Sequence, residues 1–178
     1  MTHRKMLRRA LCLGLVLLAL GCKRTVTVEV ERGEIQRRLA AKFPIQKPVL
    51  LGTVTFENPN VILHEGSDRI GVELDVRLQM PLVPQYSGKL ALNGKPAYRP
   101  AEKAFYLEQA ALERLDLAGV PLAQVENLRG PTEIVARAAL DYVPVYQFEQ
   151  RNWKEVSAEH VLREVRVQDG KLYATLGL

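Results

Sequence analysis

The sequence predicts an α+β domain in which an antiparallel meander of long strands is packed by two helical stretches. Three observations carry that prediction. Residues 70–80 alternate Ile70, Val72, Leu74, Val76, Leu78 and Met80 with Gly71, Glu73, Asp75, Arg77 and Gln79. A strand that is apolar on one side only belongs to an antiparallel sheet with one wet face. Residues 31–43 instead place Ile35, Leu39 and Phe43 one helical turn apart, as in a helix with one buried face. Asp169-Gly170 separates two further alternating runs, and Asp-Gly between such runs is a strong hairpin signal.

The chain opens with a segment that does not belong to this fold. His3, Arg4, Lys5, Arg8 and Arg9 precede an apolar run over residues 10–20, closed by Gly21 and Cys22. That is the layout of a secretory signal peptide. The run is too short to cross a hydrocarbon core, which takes roughly twenty residues. With Cys22 directly behind Gly21, the segment resembles the lipobox of bacterial lipoproteins, with Ala19 where that pattern usually has Leu. The resemblance implies that Cys22 receives a diacylglycerol, that residues 1–21 are cleaved off, and that the new amino terminus is acylated. The chain then divides into a signal (1–21), a lipidated tether (22–27) and one domain (28–178). Lys23 follows the cysteine. Asp in that place marks inner-membrane retention in enteric-type sorting, so the resemblance implies anchoring to the periplasmic face of the outer membrane.

Removal of the signal changes how the composition reads. The full chain carries a net charge of +5. Arg4, Lys5, Arg8 and Arg9 all lie within residues 1–21, where there is no acid. The remaining chain is nearly neutral, with no field to draw in nucleic acid. Cys12 leaves with the signal and Cys22 is taken by lipid, so no thiol is left for a disulfide, a nucleophile or a zinc site. The fold must hold by its core alone.

The remaining elements follow in order. Pro44 ends the first helix. Leu50, Gly52, Val54 and Phe56 alternate with Leu51, Thr53, Thr55 and Glu57. Asn58-Pro59-Asn60 then predicts a turn into Val61-Ile62-Leu63, and Glu65-Gly66-Ser67-Asp68 predicts another. Pro81-Leu82-Val83-Pro84 interrupts pairing, because proline has no amide to give a ladder. Residues 85–98 read as a strand with a break near Asn93-Gly94, and residues 104–117 as its partner. A second helical stretch starts at Val120-Pro121, with Pro at a favoured first position. It carries Leu122, Val125 and Leu128 on one face, and Gly130-Pro131 predicts an interruption. Residues 145–148 read as a short strand, and residues 161–168 and 171–178 as the closing hairpin.

This order carries a resemblance. Lys42-Phe43-Pro44 ends an amphipathic helix, and Asn58-Pro59 lies between strands. Ala104-Phe105-Tyr106-Leu107, Pro144-Val145-Tyr146 and a closing 165–172 segment follow. Behind a lipobox, the set resembles the YceB-like family of bacterial lipoproteins, a domain of unknown function. The resemblance implies a strongly curved antiparallel sheet wrapped around a long N-terminal helix, similar to the tubular lipid-binding (TULIP) proteins. It brings no catalytic residues.

The residues themselves predict no enzyme, cofactor or metal. His64 and His160 have no ligand-spaced partners. Ser67, Ser87 and Ser157 sit in no nucleophile elbow. Glu73 and Asp75 read as solvated charges on the wet strand face. Tyr146, Phe148 and Trp153 read as packing, and no glycine-rich phosphate loop is present. Two functions of different class are expected. The first is a membrane-tethered module that holds a lipid or other hydrophobic ligand in a cavity of the curved sheet. Ile35, Leu39, Val54, Phe56, Val72, Leu74, Val76, Leu90, Leu92 and Leu115 would line it. The second is a scaffold or interaction lipoprotein whose helix fills the sheet. Cys22 is the lipidation site in both, with the membrane as partner.

Overall fold

Two antiparallel sheets and two helices form the protein. The structure is a computed structural model and describes residues 25–49, 52–82, 85–148 and 161–177. The expectations at Cys22, Leu50, Trp153, Ser157 and His160 lie outside those residues. In chain order the elements are β1 (Thr25–Glu31), α1 (Arg32–Ala40), β2 (Ile45–Val49), β3 (Gly52–Leu63), β4 (Ile70–Gln79), β5 (Tyr86–Arg99) and β6 (Ala104–Leu117). Then come α2 (Leu122–Leu140), β7 (Tyr146–Gln147), β8 (Val161–Gln168) and β9 (Lys171–Gly177). One sheet has the order β2-β3-β4-β5-β6-β7 and the other β1-β9-β8. Thr25, Val26 and Thr27, placed in the tether by the sequence, begin β1 and pair with β9.

The expected wrapping of a sheet around a long N-terminal helix is incorrect. The molecule is mostly antiparallel sheet, and α1 has 9 residues. Its last turn is closed by Lys42 N donating to Leu39 O (2.9 Å) and Phe43 N to Ala40 O (3.2 Å). Pro44 disfavours helical geometry at the residue before it, so the chain leaves at once into β2. The expected interruption of the second helix is also corrected. Over 19 residues α2 runs unbroken, with Pro131 inside it. Proline removes one amide from the ladder, but ties to β6 on both sides of it hold the helix together. Arg129 Nη2 donates to Leu112 O (2.9 Å) and Glu113 O (3.1 Å). Arg137 Nε donates to Ala110 O.

Asn58-Pro59-Asn60 is a bulge rather than a turn. The β3–β4 register shifts between Glu57 and Asn60, and Asn58 has φ 48°, a left-handed conformation that Asn tolerates. The strand β2 pairs with β3 only from Gly52 to Phe56, which leaves the rest of β3 as an edge. The first helix covers that edge. Gln36 Nε2 donates to Pro59 O (2.5 Å), and Val61 N donates to Gln36 Oε1 (2.7 Å). Arg32 Nε donates to Val61 O (2.8 Å). An unpaired edge would otherwise invite pairing with another chain.

The small sheet docks on the β3–β4 connection. Gly66 N donates to Val167 O (2.9 Å), and Val167 N to Ser67 O (2.8 Å). Its inner face contributes Val30, Val167, Leu172, Ala174 and Leu176, all fully buried. The large sheet is curved enough for α2 to touch both β6 and β2, near opposite ends of the strand order.

Candidate functional site

The apolar faces of the meander meet as cross-strand rows. Val54 stands opposite Leu78, and Phe56 opposite Val76. Val72 stands opposite Leu92, and Leu74 opposite Leu90. Leu90 in turn stands opposite Leu115. Period-two patterning puts all of these on one side of the sheet. Ile35 and Leu39 of α1 join them, so the ten residues singled out from sequence belong to one buried cluster.

Their burial is graded along the strands. Ile35, Leu39, Phe56, Val72, Leu74, Leu90 and Leu92 are at most 2 % exposed. Val76, Leu115 and Val54 open slightly, to 3, 6 and 9 %. Leu78, Leu117 and Val49 beyond them are only partly buried. The interior therefore loosens toward the end of the sheet that carries the β4–β5 connection.

The start of α2 lies over that looser end. It folds back along β6, as the Arg129 and Arg137 bonds show. Its C-terminal half buries Ala136, Ala139 and Leu140, whereas its first two turns bury Val125 alone. Leu128 is partly buried, and Leu122 is 84 % exposed. A helix seated by so few apolar side chains is weakly held there.

Two components of the interior were missed by sequence reasoning. One is the inner face of β1, β8 and β9, whose period-two pattern was visible but not recognised as a lid on the core. The other is the joining of Tyr98 and Phe105 to Tyr146 and Phe148, which the sequence did read as packing, in one aromatic cluster with ring centroids 5.3–6.3 Å apart. Phe105 and Tyr146 are paired by the β6–β7 register. Arg38 of α1 lies 5.0 Å from the Tyr146 ring centroid. The Tyr98 hydroxyl is buried with no hydrogen-bond partner among the described residues, and this burial raises its pKa above the ordinary 10.0.

The wet face of the sheet is a network of paired charge. Glu73 accepts from Arg114 at 2.8 Å. Asp75 accepts from Asn58 Nδ2 at 2.8 Å and faces Lys89 at 3.7 Å. Arg77 pairs with Glu57. Exposed pairs of this kind contribute little to stability. At the other end of the sheet, hydrogen bonding to Lys95 holds the Asp68 carboxyl below its ordinary value. A groove of about 520 Å³ runs between α1 and the β3 bulge, lined by Gln36, Ala40, Phe43 and Asn58. A second, of about 370 Å³, lies on the wet face, where Val76 is the one predicted lining residue that borders it. His64 is exposed. Among the described residues no group of three or more His, Cys, Asp or Glu side chains could hold a metal ion, and no helix is long and apolar enough to cross a membrane.

Comparison with known proteins gives one family. The model of a protein of unknown function, DUF1439, matches residues 30–171. That span runs from the end of β1 to the start of β9 and takes in both helices and the whole large sheet. No curated protein matches the chain.

Proposed function

The chain belongs to the DUF1439 family, and we propose that it is a lipid-anchored, non-catalytic envelope protein that takes up a lipid or another long apolar ligand between α2 and the sheet. The observation that carries this reading is the light seating of the start of α2 over the loosened end of the interior. Val125 is its one fully buried side chain there. At the same end of the sheet, Leu115 and Leu117 of β6, Val54 of β3 and Leu78 of β4 are apolar and incompletely covered. A small outward movement of the first two turns would open a concave apolar slot, the general form of a ligand site. The Arg129 and Arg137 bonds to β6 would hold the remainder of the helix. The resemblance to YceB-like lipoproteins and to tubular lipid-binding proteins supports the same ligand class. Acylation at Cys22 would keep the domain beside a supply of such ligands, at the periplasmic face of the outer membrane.

The test is mass spectrometry of lipids that co-purify with the cleaved protein. A stoichiometric lipid lost in a Leu115→Trp variant, which fills the slot, is the expected result. A protein free of lipid in both forms would remove the reading.

A second reading is favoured by the most buried part of the interior. Ile35, Leu39, Phe56 and Leu90 are fully buried, as expected if side chains fill the centre of the sheet. If the loosened end also stays closed, the protein is a scaffold that works through its surface.

A further inference from the structure

The end of β2 and start of β3, the end of β4 and start of β5, and the end of β6 lie at one end of the large sheet, and the sequence that links them and leads into α2 is free of charge. The start of β3 sits beside the end of β4, because Thr53 pairs with Gln79. A Cβ on Gly52 would fall 2.1 Å from Gln79 O. The start of β5 sits beside the end of β6, because Gly88 pairs with Leu117 and Ala118 N donates to Ser87 O at 2.8 Å. From there the chain turns through Gly119, at φ 74°, into α2. Charged residues make up 25 % of the sequence, yet none occurs in residues 48–56, 78–88 or 117–125. Lys47, Glu57, Arg77, Lys89, Asp116 and Glu126 bound these stretches and form a charged collar behind an uncharged end.

That end presents large apolar side chains to the outside. Leu82, shortly after β4, is fully exposed, and Leu122 is 84 % exposed. One follows β4 and the other opens α2, so they stand as separate protrusions rather than as walls of a groove. A protein partner would need a matching pocket for each. A bilayer accepts protruding apolar groups without shape complementarity, and its cost falls instead on unpaired backbone amides. Here Pro81 and Pro121, directly before Leu82 and Leu122, supply no amide. The absence of charge meets the same requirement.

We propose that this end of the protein is a bilayer-contact surface in which Leu82 and Leu122 insert into the interfacial region of a phospholipid membrane. The contact is separate from acylation at Cys22 and from any ligand beneath α2. It gives the domain a fixed attitude toward a membrane surface and places the looser end of its interior next to acyl chains.

The test uses the chain from residue 22 with Cys22→Ser, which keeps every described strand and helix but has no acyl group. Its folded state is checked by its melting transition. It is sedimented with vesicles of phosphatidylethanolamine and phosphatidylglycerol. The parent is expected to bind, and Leu82→Ser combined with Leu122→Ser to weaken binding about tenfold with an unchanged melt. Ile134→Ser, which removes an exposed apolar side chain from α2 away from this end, should bind as the parent does. The slot-filling Leu115→Trp variant should also bind, which separates this proposal from ligand uptake. Absence of vesicle binding by the parent would overturn the proposal. So would equal losses in the double variant and Ile134→Ser, or a parent dimer in solution that the double variant abolishes, because the surface would then serve a second copy of the chain.

Discussion

Replacing Gln36 with leucine should expose how far the fold depends on a helix that stands in for a missing strand. Gln36 accepts from Val61 N at 2.7 Å and donates to Pro59 O at 2.5 Å, at the stretch of β3 that β2 does not reach. Leucine keeps the bulk and the helix propensity but removes both bonds. A net hydrogen bond is worth about 1 kcal/mol, and an unpaired buried group costs about 1–3 kcal/mol. Gln36 and Pro59 also border the open groove beside α1, so water can reach the freed groups and the cost falls at the low end. The expected destabilisation is about 1–2 kcal/mol for the pair. In a domain of this size that lowers the melting temperature by about 3–6 °C. Urea and thermal unfolding measure the loss, and amide exchange locates it. The Val61 amide should lose protection while those of Leu74 and Leu90 keep theirs. Arg37→Ala, on the exposed side of the same helix, is the control. If Gln36→Leu unfolds together with that control and Val61 exchanges no faster, the edge-capping argument fails.

Other consequences can be checked by similar means. Leu39 is fully buried, so Leu39→Ala should cost about 2–5 kcal/mol; a melt within the range of Arg37→Ala would show that α1 is not a core element. Burial keeps the Tyr98 phenol neutral to a higher pH in the folded state than in the unfolded one. Its contribution to stability is therefore complete below pH 10.0 and is lost as pH rises through the raised folded value. Tyr98→Phe should melt at or slightly above the parent temperature at neutral pH, since the hydroxyl has no partner, and should lose less stability between neutral and strongly alkaline pH. An identical alkaline decline in both proteins would contradict this. Cys22→Ser should abolish the mature membrane-bound form on fractionation of cells; a variant of mature mass still in the outer-membrane fraction would show that the cysteine is not acylated.

Several strands were legible because they are wet on one side. Ile70 to Gln79 shows its period in every residue, and Asp169-Gly170 marks the closing hairpin without help from the rest of the fold. Partnership between distant segments left no such mark. The short β1 and β2 precede and follow a helix, and their pairing with β9 and β3 depends on contacts that no local pattern encodes. At Gly130-Pro131 the local rule predicted a break, but two arginine side chains tied to β6 carbonyls override it. At Asn58-Pro59-Asn60 the turn residues are real, yet the neighbouring β4 and the Gln36 side chain hold them in line as a bulge. Of the ten candidate lining residues, the eight on strands share a face because period two fixes it, and Ile35 and Leu39 join the same buried cluster from α1. The sequence-based count of available cover omitted the small sheet, whose buried Val30, Val167, Leu172, Ala174 and Leu176 join the same core cluster.

Uptake of an apolar ligand beneath α2 is tested most directly by titrating the chain from residue 22, carrying Cys22→Ser, with a fluorescent fatty acid. The account predicts saturable binding to the parent, loss of that binding in Leu115→Trp, and retention of it in Ile134→Ser. Non-saturable uptake, or equal binding by the parent and Leu115→Trp, would contradict the account and leave the filled scaffold as the reading of this fold.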